Sequence, residues 1–337
     1  MITNIFRKRG GKPAAPKAPI GRISLALQGG GAFGAFTWGV LDRLLEEPDL
    51  EFDAASGASA GALNSVLLAD GLRLGGPEAA REKLDVFWTK FGQSVSPSLM
   101  PSQGAARAID LSTRLLSPYQ LNPLNLNPLR ELLSETVDFE ALQKDPSLKL
   151  LVSTTKVSDG TLRIFREDEI SLDAVLASAC LPLIHQAVEI EGESYWDGGF
   201  AANPPLLPLV EASDVDRVLL IQLIPTSGDD HPTTSPSIVN RLNQITFNNA
   251  LQRDLETIAA LQRLSEEERG RTDAARKLKA LTIDHVSAED WYPDLNHQSA
   301  LNLKRSFLTG LRDAGREAAG AWLGEEAAAE EPAKAAS

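Results

Sequence analysis

Residues 23–61, ISLALQGGGAFGAFTWGVLDRLLEEPDLEFDAASGASAG, contain the pattern that decides the fold prediction. The short β-prone run Ile23–Leu27 leads directly into a cluster of glycines, and apolar residues then recur at helical spacing over Ala35–Glu47. A second apolar segment, Phe52–Ala55, leads into a turn of small residues, and a helix rich in Ala and Leu is predicted over Ala60–Leu72. The stretch therefore predicts two strand–turn–helix units in succession.

The same alternation continues along the chain. Asp159-Gly160 is a typical hairpin turn between two predicted strands. Further strands are predicted at Leu148–Val157, Thr161–Arg166, Val215–Ile224 and Leu281–Val286, and further helices at Ile238–Leu264 and Leu301–Leu323. Strands that alternate with helices predict an α/β domain with a mostly parallel central sheet covered by helices on both faces.

Gly57-Ala58-Ser59-Ala60-Gly61 has the G-x-S-x-G spacing of a nucleophile elbow. In such an elbow a sharp strand-to-helix turn exposes the serine hydroxyl, and Gly57 and Gly61 leave room for neighbouring backbone to pack closely. We therefore predict Ser59 as a nucleophile. The alternative is that Ser59 only caps the following helix.

The glycine cluster has two interpretations. Gly29, Gly30 and Gly31 precede a predicted helix, where unpaired backbone N–H groups can stabilise an oxyanion. Gly29, Gly31 and Gly34 also satisfy G-x-G-x-x-G, and Asp53 follows at the distance expected of a dinucleotide-binding acid. However, Asp53 begins a predicted strand, whereas ligands of open α/β sheets bind at the carboxyl ends of strands. We therefore favour the oxyanion interpretation.

A serine nucleophile needs a base, and Asp197 is the best candidate. It lies in Tyr195–Phe200, where an aromatic pair is followed by a tight turn at Gly198 and Gly199. The alternative is an ordinary Asp-Gly surface turn. No comparable motif surrounds any of the histidines, which are His185, His231, His285 and His297.

Together the three motifs resemble those of the patatin-like phospholipase family, over about residues 23–203. The resemblance implies a three-layer α/β/α fold and hydrolysis of lipid acyl esters by a Ser–Asp dyad, with no metal and no cofactor. Carried over, Ser59 is the nucleophile, Asp197 the general base, and Gly29–Gly31 supply the oxyanion hole. The chain departs from the family in one respect, because Ala32–Phe36 contains no Arg or Lys. Oxyanion stabilisation is then expected from backbone N–H groups and the helix dipole alone.

Composition limits the other functions. The chain has 337 residues and a net charge of −13, which argues against nucleic-acid binding because that usually needs a basic face. The sequence contains no run of about 18 or more apolar residues, so no membrane-spanning helix is predicted. The single cysteine, Cys180, fits a reducing compartment, so we expect a cytoplasmic protein, at most peripheral to a membrane or a lipid or polyester granule. Oligomeric state is left open.

Three regions complete the predicted organisation. Residues 1–20 form a basic tail, expected to be disordered and able to contact an anionic membrane surface transiently. Residues 21–323 form the hydrolase domain, and residues 324–337 an acidic tail expected to be disordered. Within the domain, the proline-broken segment 87–129 is either a lid or acyl-binding insertion, or a set of short helices capping the sheet.

Two alternatives to a phospholipase A or lysophospholipase-like enzyme remain at this stage. The same dyad can act on an intracellular polyester or storage lipid. The chain can also be a non-catalytic protein that binds a lipid or granule surface.

Overall fold

The computed structural model describes residues 21–94, 116–228, 230–267, 272–293 and 295–334. Within these ranges the strands form one eight-stranded sheet in the order β5-β6-β3-β2-β1-β7-β8, with β4 also paired to β3. The strands are β1 (Arg22–Leu27), β2 (Glu51–Gly57), β3 (Lys149–Lys156), β4 (Leu162–Arg166), β5 (Val188–Ile190), β6 (Glu193–Asp197), β7 (Arg217–Gln222) and β8 (Thr282–Ser287). The five strands from β3 to β8 in this order are parallel, and β4, β5 and β6 pair in antiparallel fashion.

Helices cover both faces of the sheet. They are α1 (Gly34–Leu44), α2 (Ala60–Ser94), α3 (Pro118–Leu121), α4 (Pro128–Thr136), α5 (Phe139–Lys144), α6 (Leu172–Ser178), α7 (Leu206–Ala212), α8 (Ser235–Glu267), α9 (Asp273–Ala280) and α10 (Arg305–Lys334). Helix α2 is two helical stretches joined at a kink, because Gly75 and Gly76 leave helical geometry and Pro77 follows. Proline favours the first turn of a helix, so the chain resumes its helical course there.

The alternation of side chains along β1 shows how the layers form. Ile23, Leu25 and Leu27 face a core shared with α1, α2 and α10, whereas Ala26 faces a second core shared with α7 and α8. Successive strand residues point to opposite faces, so a strand buried on both sides is apolar throughout. The predicted three-layer α/β/α fold with a mostly parallel sheet is confirmed.

Several boundaries differ from those predicted. Phe87 and Trp88, which the sequence assigns to an insertion, are fully buried in the core at the end of α2. The second half of α2 was not expected, because the glycines before Pro77 end the apolar periodicity. Helix α3 lies in the rest of segment 87–129 and α4 begins at its end, while residues 95–115 are outside the described ranges.

The chain ends also relate differently to the prediction. The backbone of α10 is helical through Lys334, beyond the predicted end at residue 323 and into the segment expected to be disordered. Residues 1–20 lie outside the described ranges, so the basic tail stays a prediction.

Candidate active site

Strand register brings Ser59 and Asp197 to the same edge of the sheet. Gly57, the last residue of β2, is paired with Val152 of β3, and Ser59 follows two residues later. Asp197, the last residue of β6, is paired with Thr154 of the same strand β3. Both residues therefore lie beside β3 just beyond the carboxyl end of β2.

The turn at Ser59 has the geometry of a nucleophile elbow. Ser59 has φ 51°, in the left-handed region that residues other than glycine rarely adopt. A Cβ on Gly57 would lie 2.4 Å from the backbone carbon of Gly61, and one on Gly61 would lie 2.0 Å from the Leu27 carbonyl oxygen. Both glycines are thus required by close backbone contacts. The Ser59 N–H donates to Ser178 Oγ at 2.9 Å, which holds the turn against the end of α6.

The carboxylate of Asp197 is buried and hydrogen-bonded. Only 2% of the residue is exposed, and desolvation raises its pKa to about 7. Two groups oppose this shift in pKa: the Gly199 N–H, which donates to Oδ1 at 2.8 Å, and the nearby Ser59 hydroxyl. The arrangement is a serine and a carboxylate in one pocket, with the pKa of the carboxylate close to neutral pH.

Asp197 itself is held by the strands around it. Its N–H donates to the Cys180 carbonyl at 2.8 Å, and its own carbonyl accepts from Thr155 Oγ1 at 2.7 Å. A Cβ on Gly198 would lie 2.1 Å from the Ser153 carbonyl oxygen, so the turn after Asp197 packs directly on β3. The acid motif is therefore buried inside the fold, unlike an ordinary surface turn.

The three candidate oxyanion donors of the glycine loop differ in whether their N–H groups are already hydrogen-bonded. The Gly29 N–H donates to Asn203 Oδ1 at 2.7 Å, so this N–H is already occupied, in contrast to the predicted oxyanion role. Among the described residues, no acceptor binds the N–H groups of Gly30 or Gly31. Gly31 has φ 59° and opens a short 3-10 turn that continues into α1. Gly30 and Gly31 are left as candidate donors at this helix start.

Two polar side chains that the sequence did not single out hold the loop in place. Asn203 also donates through Nδ2 to the Phe247 carbonyl of α8 at 3.1 Å. Gln28 accepts from two backbone N–H groups after β7, both at 2.8 Å, and donates to Asn248 Oδ1 of α8 at 2.8 Å. The only signal in the sequence was a buried-strand end followed by Gln, and an Asn shortly after the acid motif.

The glycine loop, Ser59 and Asp197 line a pocket with about 730 Å³ of empty space, including its open mouth. Phe33 lines the pocket, whereas Phe36 is packed in the core. The sequence did not predict the remaining wall, which includes Ile224, Pro225, Asn240, Asn243, Gln244, Phe247, Leu295, Asn296, His297, Ala300 and Leu301.

The histidines have other surroundings. His285 is buried, its ring bonds Gln222 Oε1 at 2.8 Å, and desolvation lowers its pKa to about 4. Burial also lowers the pKa of His185, whose Nδ1 has no partner among the described residues. His297 does line the pocket, on the wall formed by residues 295–301. Among the described residues, the hydrogen bond to the Asp197 carboxylate comes from the Gly199 N–H, and no histidine donates to it.

Asp53 belongs to the opposite end of the sheet. It is the third residue of β2, pairs with Arg22 at 2.8 Å and accepts from the Asp214 N–H at 2.7 Å. Its carboxylate is therefore already paired, and it lies at the other end of the strand from the glycine loop. Asp53 cannot bind the ribose of a dinucleotide at that loop.

The described residues include no group of three or more His, Cys, Asp or Glu side chains placed to hold a metal ion. Nor does any helix in the same ranges combine the length and apolar character needed to cross a membrane.

The family model described as patatin-like phospholipase matches residues 25–210, more than half of the chain. The chain belongs to the patatin-like phospholipase family. No curated protein sequence matches it significantly. Solved structures similar to this patatin-like protein include VipD from Legionella pneumophila, with 16% identity, a TM-score of 0.36, and 93% of this chain and 73% of that chain covered. Another is the type III effector protein ExoU, with 16% identity, a TM-score of 0.37, and 93% of this chain and 54% of that chain covered.

Patatin-like proteins are lipid acyl hydrolases, and membership assigns this general activity to the chain. The matched segment contains the glycine loop, the elbow at Ser59 and the acid motif at Asp197. It ends before α8 and the 295–301 segment, which form most of the remaining pocket wall.

Proposed function

We propose that the protein is a serine acyl hydrolase that cleaves the carboxylic ester bonds of lipids through a dyad of Ser59 and Asp197. The observation that carries the proposal is that Ser59 lines the same pocket as the buried carboxylate of Asp197, whose pKa is raised to about 7. A base with a pKa near the working pH is best suited to accept and return a proton. Both side chains open into the same pocket.

In the proposed reaction, Asp197 accepts the hydroxyl proton while Ser59 Oγ attacks the ester carbonyl carbon. The tetrahedral intermediate collapses as the C–O bond to the alcohol breaks, and the protonated Asp197 returns the proton to the leaving alkoxide. A water molecule then attacks the acyl-enzyme and gives its proton to Asp197. The carboxylic acid leaves as the proton returns to Ser59 Oγ.

Backbone donors are proposed to stabilise the oxyanion. Gly30 and Gly31 line the same pocket as Ser59 and precede α1, whose N-terminus favours negative charge. Loss of one oxyanion donor typically costs about 3–4 kcal/mol of transition-state stabilisation in serine hydrolases. This arrangement needs no Arg or Lys after the glycines.

An exposed apolar face of α8, opposite to the face that lines the pocket, supports contact with a lipid. On the first part of α8, Ile238, Leu242 and Ile245 are exposed and lie at the spacing of one helix face. Leu301, which lines the pocket, is also exposed. An exposed apolar helix face, together with the exposed Leu301 at the pocket, suits transient contact with a lipid surface. Action on a polyester and cytoplasmic location stay predictions.

The direct test is hydrolysis of p-nitrophenyl laurate by the purified full-length chain and by Ser59→Ala and Asp197→Asn. Both variants are expected to lose activity by at least about 10³-fold, because each removes a partner of the proton transfer. Ser134→Ala, which changes an exposed serine on α4, is the matched control. Full activity in Ser59→Ala would falsify the proposal, and failure of the wild type to react with a fluorophosphonate probe would favour a non-catalytic binding protein.

A further inference from the structure

The pocket has a wall of neutral polar side chains that the proposed chemistry does not use. Asn240, Asn243 and Gln244 line it from α8, at positions i, i+3 and i+4 on one helix face. His297 adds to the wall from the 295–301 segment, and its backbone N–H donates to Asn240 Oδ1 at 2.8 Å. The hydrogen bond joins the two parts of the wall into one surface.

This wall offers both donors and acceptors. Asn243 Nδ2 donates to the Val239 carbonyl at 2.9 Å, which leaves the Oδ1 acceptor of Asn243 without a donor among the described residues. Asn240 Oδ1 is occupied by His297, and the described chain contains no acceptor for Asn240 Nδ2. A hydroxyl group both donates and accepts, so it can bond such an amide pair in either sense.

The charges in the pocket also favour a neutral ligand group. Asp197 supplies a carboxylate, and none of the described lining residues is Lys or Arg. Arg241 lies between two lining residues, but its Nη1 donates to the Thr226 carbonyl at 3.2 Å and to Gln244 Oε1 at 3.1 Å. Phosphate groups are acceptor-only anions that proteins usually bind with Arg or Lys. A phosphodiester beside the Asp197 carboxylate would also experience charge repulsion.

We propose that the leaving-group side of this pocket selects a neutral, hydroxyl-bearing alcohol of the acylglycerol class over a phosphodiester head group. The inference rests on the proposed acyl hydrolase function of the same site. It assigns head-group recognition to Asn240 and Asn243, with Asn243 offering the free acceptor and Asn240 the free donor.

The experiment compares monolauroylglycerol with lauroyl-lysophosphatidylcholine, which present the same acyl chain, in the same detergent and with release of laurate as the readout. The full-length wild type is expected to give a kcat/KM at least about tenfold higher on monolauroylglycerol. An equal or higher value on the lysophospholipid overturns the proposal. p-Nitrophenyl laurate is assayed in parallel, so that loss of Ser59-dependent hydrolysis on all three esters identifies failure of the acyl hydrolase function itself.

Variants of Asn243 test the wall directly. Asn243→Leu is expected to lower the ratio of kcat/KM on monolauroylglycerol to that on p-nitrophenyl laurate by about fivefold, the effect of one lost hydrogen bond. Asn243→Arg is expected to raise kcat/KM on the lysophospholipid relative to monolauroylglycerol. Asn249→Leu, an exposed asparagine of the same helix outside the pocket lining, is the matched control. Unchanged ratios in both Asn243 variants, with thermal unfolding like that of the wild type, overturn the assignment.

Discussion

Asn203 Oδ1 accepts a hydrogen bond from the backbone N–H of Gly29 at 2.7 Å, although the two residues are 174 positions apart. Asn203 is buried and lies six residues after Asp197, so the chain segment that provides the carboxylate also fixes the glycine loop. Its Nδ2 donates to the Phe247 carbonyl on α8. One side chain therefore sets the position of the proposed oxyanion donors relative to the proposed base and the pocket wall.

Replacing Asn203 by Leu is expected to lower kcat about tenfold or more with a smaller change in KM, because the buried Gly29 N–H loses its acceptor and the loop can rotate. The same loss should reduce the free energy of unfolding by about 1–3 kcal/mol. Kinetics on p-nitrophenyl laurate and denaturant unfolding separate the two effects. A variant that loses stability and keeps kcat would show that Asn203 supports the fold alone.

The pH dependence of activity should report Asp197. Because burial raises its pKa to about 7, the carboxylate becomes an active base only as pH rises through that value. We expect kcat/KM to increase about tenfold per pH unit below this pKa and to level off above it. A profile that is flat from about pH 5 to 8 would contradict the role of Asp197 as the base.

The same carboxylate should make stability depend on pH in the opposite sense. Its folded-state pKa, about 7, exceeds the ordinary value of 3.8, so the native state holds its proton more tightly than the unfolded state. The contribution of Asp197 to stability is therefore present at low pH and is lost as pH rises between these two values. Asp197→Asn should gain stability relative to wild type as pH is raised through this window, as measured by urea unfolding. The reverse trend would contradict the desolvation of Asp197.

Substitution by alanine is expected to change stability in opposite directions at Gly61 and Gly320. Gly61→Ala should destabilise the protein by several kcal/mol or prevent folding, since its Cβ would lie 2.0 Å from the Leu27 carbonyl oxygen. Gly320→Ala in α10 should stabilise it by about 0.5–1 kcal/mol, because alanine has the higher helix propensity and nothing lies within 4 Å of the new Cβ. Thermal unfolding of the two variants tests both. Equal effects would mean that the close contact at the elbow is not enforced.

The exposed face of α8 predicts a difference between dispersed and aggregated substrates. Leu242, with 58% of its surface exposed on the face of α8 opposite to the pocket-lining face, is proposed to contact lipid. Leu242→Ser should lower kcat/KM on vesicle-bound ester relative to soluble p-nitrophenyl butyrate by about threefold or more, as expected from the lost apolar contact area. Leu264, 57% exposed near the other end of the same helix, supplies the control Leu264→Ser. Equal ratios in the two variants would place the lipid contact elsewhere.

Local patterns in the sequence were sufficient for the fold and for the centre of the site. The strand at Ile23–Leu27 and the elbow at Ser59 are encoded by adjacent residues whose periodicity and turn chemistry agree. A distinctive aromatic and glycine motif marked Asp197, which lines one pocket with Ser59, and the roles of the two residues stay a proposal. These elements depend little on distant contacts.

The parts that the sequence did not predict depend on tertiary contacts. The hydrogen bond of the Gly29 N–H could not be predicted, because its acceptor, Asn203, lies 174 residues later in the chain. No local sequence pattern marks Asn203. Trp88 is buried because the helix resumes after Pro77 and carries it into the core. There the Trp88 Nε1 donates to Asn64 Oδ1 at 3.0 Å. The polar wall on α8 could not be predicted either, because helical periodicity identifies a face but not what that face meets.

The polar pocket wall and the proposed catalytic residues come from different parts of the chain. The proposed dyad and oxyanion loop lie within residues 25–210, where the family model matches, whereas Asn240, Asn243 and His297 lie beyond it. The C-terminal part of the chain can therefore change its preference for an alcohol without altering the residues that break the ester. Exchange of residues 235–301 between two members of the family should transfer substrate preference while the turnover chemistry remains that of the recipient.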